Sequence, residues 1–353
     1  SGLGEATGGL STMPNKEAVE EIKHLAIGKN PLEISNIVDE LYKALFLKIT
    51  PAVAAIEIAC WDILGKHLKV PIYQLLGGKV RDKVRVYANG WYSGERSPEN
   101  FGEKAKSLAD KGYTALKFDP FGSEYLRLDK ESEIFIKKIV RSVRDAVGPN
   151  VELMIEGHKR FNTVEAIKIA NWLNEFEVTW FEDPIDNDDI DSLIHVSNNS
   201  PVRIIAGEGF DDHKDFTRFV SSNATDIVNP EVMRIGGISG AVKVAGICSS
   251  FDAELAFHNA ESPLKTMTNL QLCGAINNIY IQECFDEFNE DWIEELFPNY
   301  EKVKDGYLSI PDRPGLGISI NENVAKDHPY NKSNFLRMFK PGWENRKGAK
   351  DSE

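Results

Sequence analysis

Up to about residue 80 the apolar positions recur at helical spacing; beyond it they come in short runs that alternate with amphipathic stretches. In the first part, Asn15 is placed to cap KEAVEEIKHL and Pro31 to open LEISNIVDELYKAL. Thr50-Pro51 then starts AVAAIEIACWDILGKHL, apolar on nearly every side, which predicts a helix buried between two domains. Eight β-rich runs follow: VRVYAN (84–89), TALKFD (114–119), VELMIE (151–156), VTWFED (178–183), VRIIAG (202–207), ATDIVN (224–229), AELAFH (253–258) and IYIQEC (279–284). Helical patterns such as ESEIFIKKIVRSVRDAV lie between them. Strands at spacings of about 23–37 residues, each followed by a helix or its equivalent, predict an α/β fold in which a parallel sheet closes into a (β/α)8-type TIM barrel. A doubly wound open sheet is the alternative, but no strand here runs into a GxGxxG turn. After residue 285 the regularity fades. The chain therefore divides into a helical part (1–80), the barrel (81–285) and a segment expected to return to the N-terminal helices (286–353), loose and polar from about residue 340. The opening SGLGEATGG reads as the end of a strand entering a loop, so the first strands of the N-terminal part are expected to be missing.

Composition adds exclusions. A chain of 353 residues, 42% of them hydrophobic, can bury a large core without covalent staples. The formal net charge of −14 argues against nucleic acid or an anionic membrane as partner, since both require a basic face. Cys60, Cys248, Cys273 and Cys284 form no CxxC pair and lie in apolar contexts, so reduced core residues are expected. No run reaches the about 18 apolar residues of a membrane span and no signal-peptide pattern opens the chain; the cytoplasm is the expected compartment.

In a barrel of this kind the chemistry gathers at the C-terminal ends of the strands. The polar residues there are, in order, Lys117, Asp119, Glu156, His158, Glu182, Glu208, Glu231, His258 and Glu283. Strand ends are commonly polar, and rim charges solvated by water are the bland explanation. The spacing is more specific: Glu156, Glu182 and Glu208 stand 26 and again 26 residues apart, one βα repeat each. Three carboxylates aimed at one place repel one another unless a cation sits among them, and oxygen-only donors suit a hard ion such as Mg2+.

The motifs ALKFD, LMIEGHKRF, WFEDPI, AGEGF, NPEVMRIGGISG, AFHNAESP and IYIQE follow one another as in mandelate racemase-like members of the enolase superfamily, which the chain resembles over nearly its whole length. AIEIACWDILGKHLKVPIYQLLGG resembles that family's junction between an α+β capping domain and the barrel. The resemblance implies that the N-terminal segment and C-terminal tail together form the capping domain. It also implies that Glu156, Glu182 and Glu208 hold one Mg2+ per subunit, that Lys117 is a second cation at the substrate carboxylate, and that the subunits form a homo-oligomer. Two departures from the family pattern stand out: Glu156 and Glu231 occupy positions where the family has Asp.

The same resemblance narrows the reaction. Racemases of the group carry a second lysine base two residues after the first, and here that residue is Asp119. His258, paired with Glu231, is then the expected base, and His158 the acid that protonates a departing β-hydroxyl, as in gluconate and galactonate dehydratases. Glu283 matches the family's electrophilic carboxylic acid, and Asp119 and Arg160 are expected with Lys117 at the substrate. The expected activity is α,β-elimination of water from a small anionic sugar acid, giving a 2-keto-3-deoxy acid. D-gluconate or D-galactonate leads, with D-arabinonate or another pentonate next. A diacid-sugar dehydratase and a racemase or epimerase are alternatives within the superfamily. Outside it, RIGGISG could be the phosphate-binding turn of a barrel aldolase or isomerase.

Overall fold

The computed structural model describes residues 1–7, 12–45, 50–331 and 335–345. Three helices open the fold: α1 (Thr12–Ile22), α2 (Ile34–Ala44) and α3 (Thr50–Leu68). Asn15 does not cap the first of them. The helix starts at Thr12, with Pro14 in its first turn, where a missing N–H costs nothing. Pro31 does not open the second either, because Asn30 first folds a turn, its side-chain oxygen accepting from Leu32 N at 3.1 Å. A short α4 (Ile72–Leu75) follows α3. As the all-round apolar pattern of α3 predicts, it is buried, with Ala52, Val53 and Cys60 against α1 and α2 and Ala54 and Ile58 in the main core.

The expected strands are all present: β1 (Lys83–Ala88), β2 (Ala115–Phe118), β3 (Glu152–Glu156), β4 (Val178–Glu182), β5 (Arg203–Ile205), β6 (Ile227–Val228), β7 (Glu254–Leu255) and β8 (Gln282–Cys284). The continuous parallel order is β5-β4-β3-β2-β1-β8, and β6 pairs with β7. Closure comes through Asn229 N donating to Ala206 O at 3.3 Å and through the parallel bridge Leu255↔Ile279. The ring of strands encloses a layer to which each contributes one residue: Tyr87, Ala115, Met154, Trp180, Ile205, Ile227, Ala256 and Ile281. A ninth strand, β9 (Tyr307–Ser309), pairs antiparallel with the start of β1, Val84 opposite Leu308.

The helices between strands are α5 (Pro98–Asp110), α6 (Lys130–Val147), α7 (Thr163–Leu173), α8 (Ile190–Asn198), α9 (His213–Ser221), α10 (Gly237–Ser249) and α11 (Pro263–Ala275). Ser97, Asp129, Asn162, Asp189, Asp212 and Ser262 each supply a side-chain oxygen to the first turn that follows. Helix α10 starts instead on Gly236-Gly237, both with positive φ, and its capping oxygens come from α3: Glu57 accepts from Ile238 N at 2.9 Å and Ser239 N at 2.8 Å. A side chain at Gly237 would strike that carboxylate. The RIGGISG turn is thus filled by a protein carboxylate and presents no open anion site. Cys60, Cys248, Cys273 and Cys284 are buried and unpaired. No helix among the described residues is long and apolar enough to cross a membrane.

Candidate active site

The mouth of the barrel follows from the period of two along each strand. The residue filling the interior layer is followed, two positions later, by one at the C-terminal end: Tyr87 by Asn89, Ala115 by Lys117, Met154 by Glu156, Trp180 by Glu182, Ile227 by Asn229, Ala256 by His258 and Ile281 by Glu283. In the fifth strand Gly207 holds that place and Glu208 comes next. The register sets Glu156 directly opposite Glu182, and one carboxylate oxygen each of Glu156, Glu182 and Glu208 falls within 4.8 Å of the others.

Lys117 is buried beside this group. Its Nζ is 2.5 Å from Glu182, 2.9 Å from Glu283 and 3.1 Å from Glu156. One ammonium does not balance these carboxylates. Burial, with Glu208 and Asp183 nearby, pushes Glu156 up to about 7 despite Lys117. Burial and Glu156 raise Glu182 well above the carboxylate range. Glu208 goes the other way: burial would raise it, but His258, Lys159, His158 and Lys117 outweigh that and lower it. Uncompensated charge on an all-oxygen donor set is what a hard divalent cation relieves, so these residues fit a metal of that kind.

Glu231, His258 and Glu261 also bring ligand atoms within 4.8 Å of one another. There the cation is already part of the chain. Lys265, fully buried near the start of α11, donates to both Glu231 and Glu261, and with His258 it outweighs burial and holds Glu231 below its usual range. Nothing in the sequence around Lys265 distinguishes it from a solvated lysine in the first turn of a helix.

The two histidines face the cavity from different sides. His258 Nδ1 is 2.7 Å from Glu231 Oε2, and its Nε2 is 3.2 Å from Glu208. Burial would lower its pKa, but Glu208 and Glu231 hold it up at about 10. His158 and Lys159 both have positive φ, so the chain turns sharply as it leaves β3. That turn carries the His158 ring to Asp119, Nδ1 to Oδ2 at 2.7 Å, while its backbone N donates to Glu156 at 2.8 Å.

Lys117, Glu156, His158, Glu208, Glu231 and His258 all line one cavity, joined by Asn89, Lys159, Arg234, Ala260 and Glu261. Three further residues take positions that the expected roles do not describe. Asp119 turns away from Lys117 and from the cavity, accepting from Phe121 N at 2.8 Å and pairing with His158 and Arg160. Arg160 is buried with its donors on Asp119, Gly157 O and Gly122 O, so it braces Asp119 and leaves no arm for substrate. Glu283 lies behind Lys117, bonded to Asn89 at 2.7 Å and to Asn259 N at 2.6 Å. Burial would raise its pKa, but Lys117 and His258 lower it to about 2. The C-terminal segment is a fourth surprise: Leu336, Met338 and Trp343 line the cavity, and Trp343–Asn345 form a docked turn where a loose tail is expected; residues 346–353 lie outside the described residues.

Comparison with known proteins places this geometry in a family. Residues 100–324 match the model of the enolase C-terminal domain-like family, and residues 1–77 that of the mandelate racemase/muconate lactonizing enzyme N-terminal domain. A D-gluconate/D-galactonate dehydratase of Picrophilus torridus is 36% identical, the match covering 97% of this chain and 88% of that protein. A D-gluconate dehydratase of Thermoproteus tenax is 34% identical, covering 96% and 69%. A mandelate racemase/muconate lactonizing enzyme from Sulfitobacter sp. superposes with a TM-score of 0.88 at 29% identity, covering 96% of this chain and 90% of that one. The chain belongs to the mandelate racemase/muconate lactonizing enzyme family of the enolase superfamily.

Proposed function

We propose that this protein is a Mg2+-dependent aldonate dehydratase, acting on D-gluconate or D-galactonate. The observation that carries the reading is a pair of histidines, each backed by its own carboxylate, lining one cavity with Lys117 and the three-carboxylate group. Glu156, Glu182 and Glu208 would hold the ion. When bound, it would supply Lewis-acid stabilisation of charge on the substrate carboxylate and offset the Glu208 charge that otherwise keeps His258 protonated.

The chain's own residues account for the rest. His258, its Nδ1 fixed by Glu231, takes the proton from C2 at Nε2. Lys117 faces the charge that then develops on the carboxylate oxygens. As the electron pair left on C2 becomes the second bond of C2=C3, His158 gives a proton to the C3 hydroxyl, the C3–O bond breaks and water leaves. The resulting enol tautomerises to the 2-keto-3-deoxy acid.

The alternatives fit less well. A racemase needs a base on the opposite face, and Asp119, where that lysine would stand, is committed to His158 and Arg160. A diacid needs a spare cation. Arg234 is bonded to Asp211 at 2.8 and 3.0 Å, Lys159 faces Asp183 at 3.9 Å, and Arg160 is buried. The relatives named for D-gluconate and D-galactonate support the monoacid. The test is incubation with Mg2+ and either aldonate, followed by NMR. A 2-keto-3-deoxy product that disappears with EDTA and returns with Mg2+ is expected. Accumulation of the C2 epimer alone, across all sugar acids tried, would overturn the reading.

A further inference from the structure

Residues 335–345 cross the C-terminal face of the barrel and attach to loops after three consecutive strands. After β1, Asn345 accepts from Gly94 N at 2.5 Å, and Glu344 lies 3.8 Å from Arg96. After β2, the Trp343 indole N–H donates to Gly122 O at 2.9 Å, and the Phe339 ring packs on Tyr125 with centroids 5.5 Å apart. After β3, Phe339 covers the Arg160 guanidinium at 4.5 Å, and Trp343 meets His158 edge-on, 5.2 Å between ring centroids. Trp343 is buried, and its one polar atom is satisfied, so the ring is held in place.

This segment supplies Leu336, Met338 and Trp343 to a cavity whose remaining wall is almost wholly polar. Its position relative to the proposed chemistry is informative. The substrate carboxylate belongs near Lys117, the C2 proton near His258 and the C3 hydroxyl near His158. The sugar chain beyond C3 must then leave on the His158 side, where Trp343 stands. A polyol chain passing an apolar wall gains no hydrogen bonds from it, so the wall selects by length and shape. An indole against the acid also keeps bulk water away from the ring that protonates the leaving hydroxyl.

We propose that the C-terminal segment is the specificity wall of this active site, with Trp343 bounding the substrate beyond C3 and excluding water beside His158. The proposal rests on the aldonate-dehydratase reading. Its test compares wild type, Trp343→Ala, Trp343→Phe and a chain ending before residue 335. The readouts are kcat and KM on five- and six-carbon aldonates, exchange of the C2 proton in D2O, and melting temperature. Trp343→Ala is expected to lower kcat for dehydration at least about 10-fold while C2 exchange changes less than about 3-fold, since His258 lies on the other side of the substrate. The six- to five-carbon ratio of kcat/KM should shift by about 5-fold or more, and Trp343→Phe should recover most of both effects. The truncated chain should repeat the Trp343→Ala pattern, and the alanine variant serves alone if truncation prevents folding. Variants that keep the wild-type kcat and length ratio would overturn the proposal while leaving the dehydratase reading intact. A wild-type enzyme inert toward every aldonate would overturn the reading, and the wall with it.

Discussion

At the scale of single residues, position along a strand says more than residue type. Lys117, Glu156, Glu182 and His258 could be picked out because each lies two residues beyond an interior apolar side chain, a rule the sequence displays directly. Arg160 and Asp119 lie beyond strand ends, where a turn decides direction. The left-handed backbone at His158 and Lys159 turns the chain so that Arg160 packs inward on Asp119, and no pattern of apolar residues encodes that. Lys265 was unreadable for a different reason: its burial depends on α11 packing against the mouth. The division of labour between the histidines has a direct test. His258→Asn is expected to abolish both dehydration and C2-proton exchange in D2O, a loss of about 10²–10⁴ in each. His158→Asn is expected to abolish dehydration by a similar factor and retain measurable exchange. Exchange surviving the loss of His258 would move the base elsewhere, and Lys117 is the next group in the cavity.

At the scale of elements, the strands were readable because each is a short apolar run bounded by polar turns, although β6 and β7 contract to two paired residues each. Strand β9 was not, since the four residues between DG and PD carry no periodicity of their own, and three of them become a strand only by pairing with β1. Helix α10 shows an element whose start is set by another part of the chain. The N–H groups of Ile238 and Ser239 in its first turn are satisfied by Glu57 of α3, 181 and 182 residues away in sequence, and that carboxylate also accepts from Trp61 Nε1 at 2.8 Å. Glu57→Ala removes the acceptor and leaves buried donors unpaired, at about 1–3 kcal/mol for each. Urea unfolding should therefore show a loss of at least about 1 kcal/mol, with the N-terminal helices and the barrel losing their contact at α10. Replacement of Ser97, the cap of α5, should cost about 1 kcal/mol and leave that contact untouched. Equal and small effects from both substitutions would mean that Glu57 does not couple the two parts.

At the scale of the whole molecule, the N-terminal segment, α11 and the loop after β8 meet around a buried acid that the proposed mechanism does not use. Asp286 is 6% exposed; one oxygen accepts from Thr266 Oγ1 at 3.0 Å and the other has no hydrogen-bond partner among the described residues. Glu5, bonded to Ser262, is a second acid nearby, itself pushed by burial from 4.5 up to about 7. Burial first, and Glu5 after it, push Asp286 from 3.8 up to about 7, against the Thr266 hydrogen bond. The folded protein therefore holds a proton there that the unfolded chain has already released between about pH 4 and 7. Where the native state binds more protons, stability falls as pH rises, so this group's contribution declines across that window and is fully unfavourable above it. Asp286→Asn keeps the shape and removes the titration. The difference in melting temperature, variant minus wild type, should rise from pH 4 to pH 7 and level off beyond. The raised carboxylates of the mouth, Glu156 and Glu182, titrate alike in both proteins and cancel in this difference. A difference that stays flat over that range would show that Asp286 is ionised in the folded protein from the start, with water or a shifted Glu5 supplying the partner its second oxygen lacks.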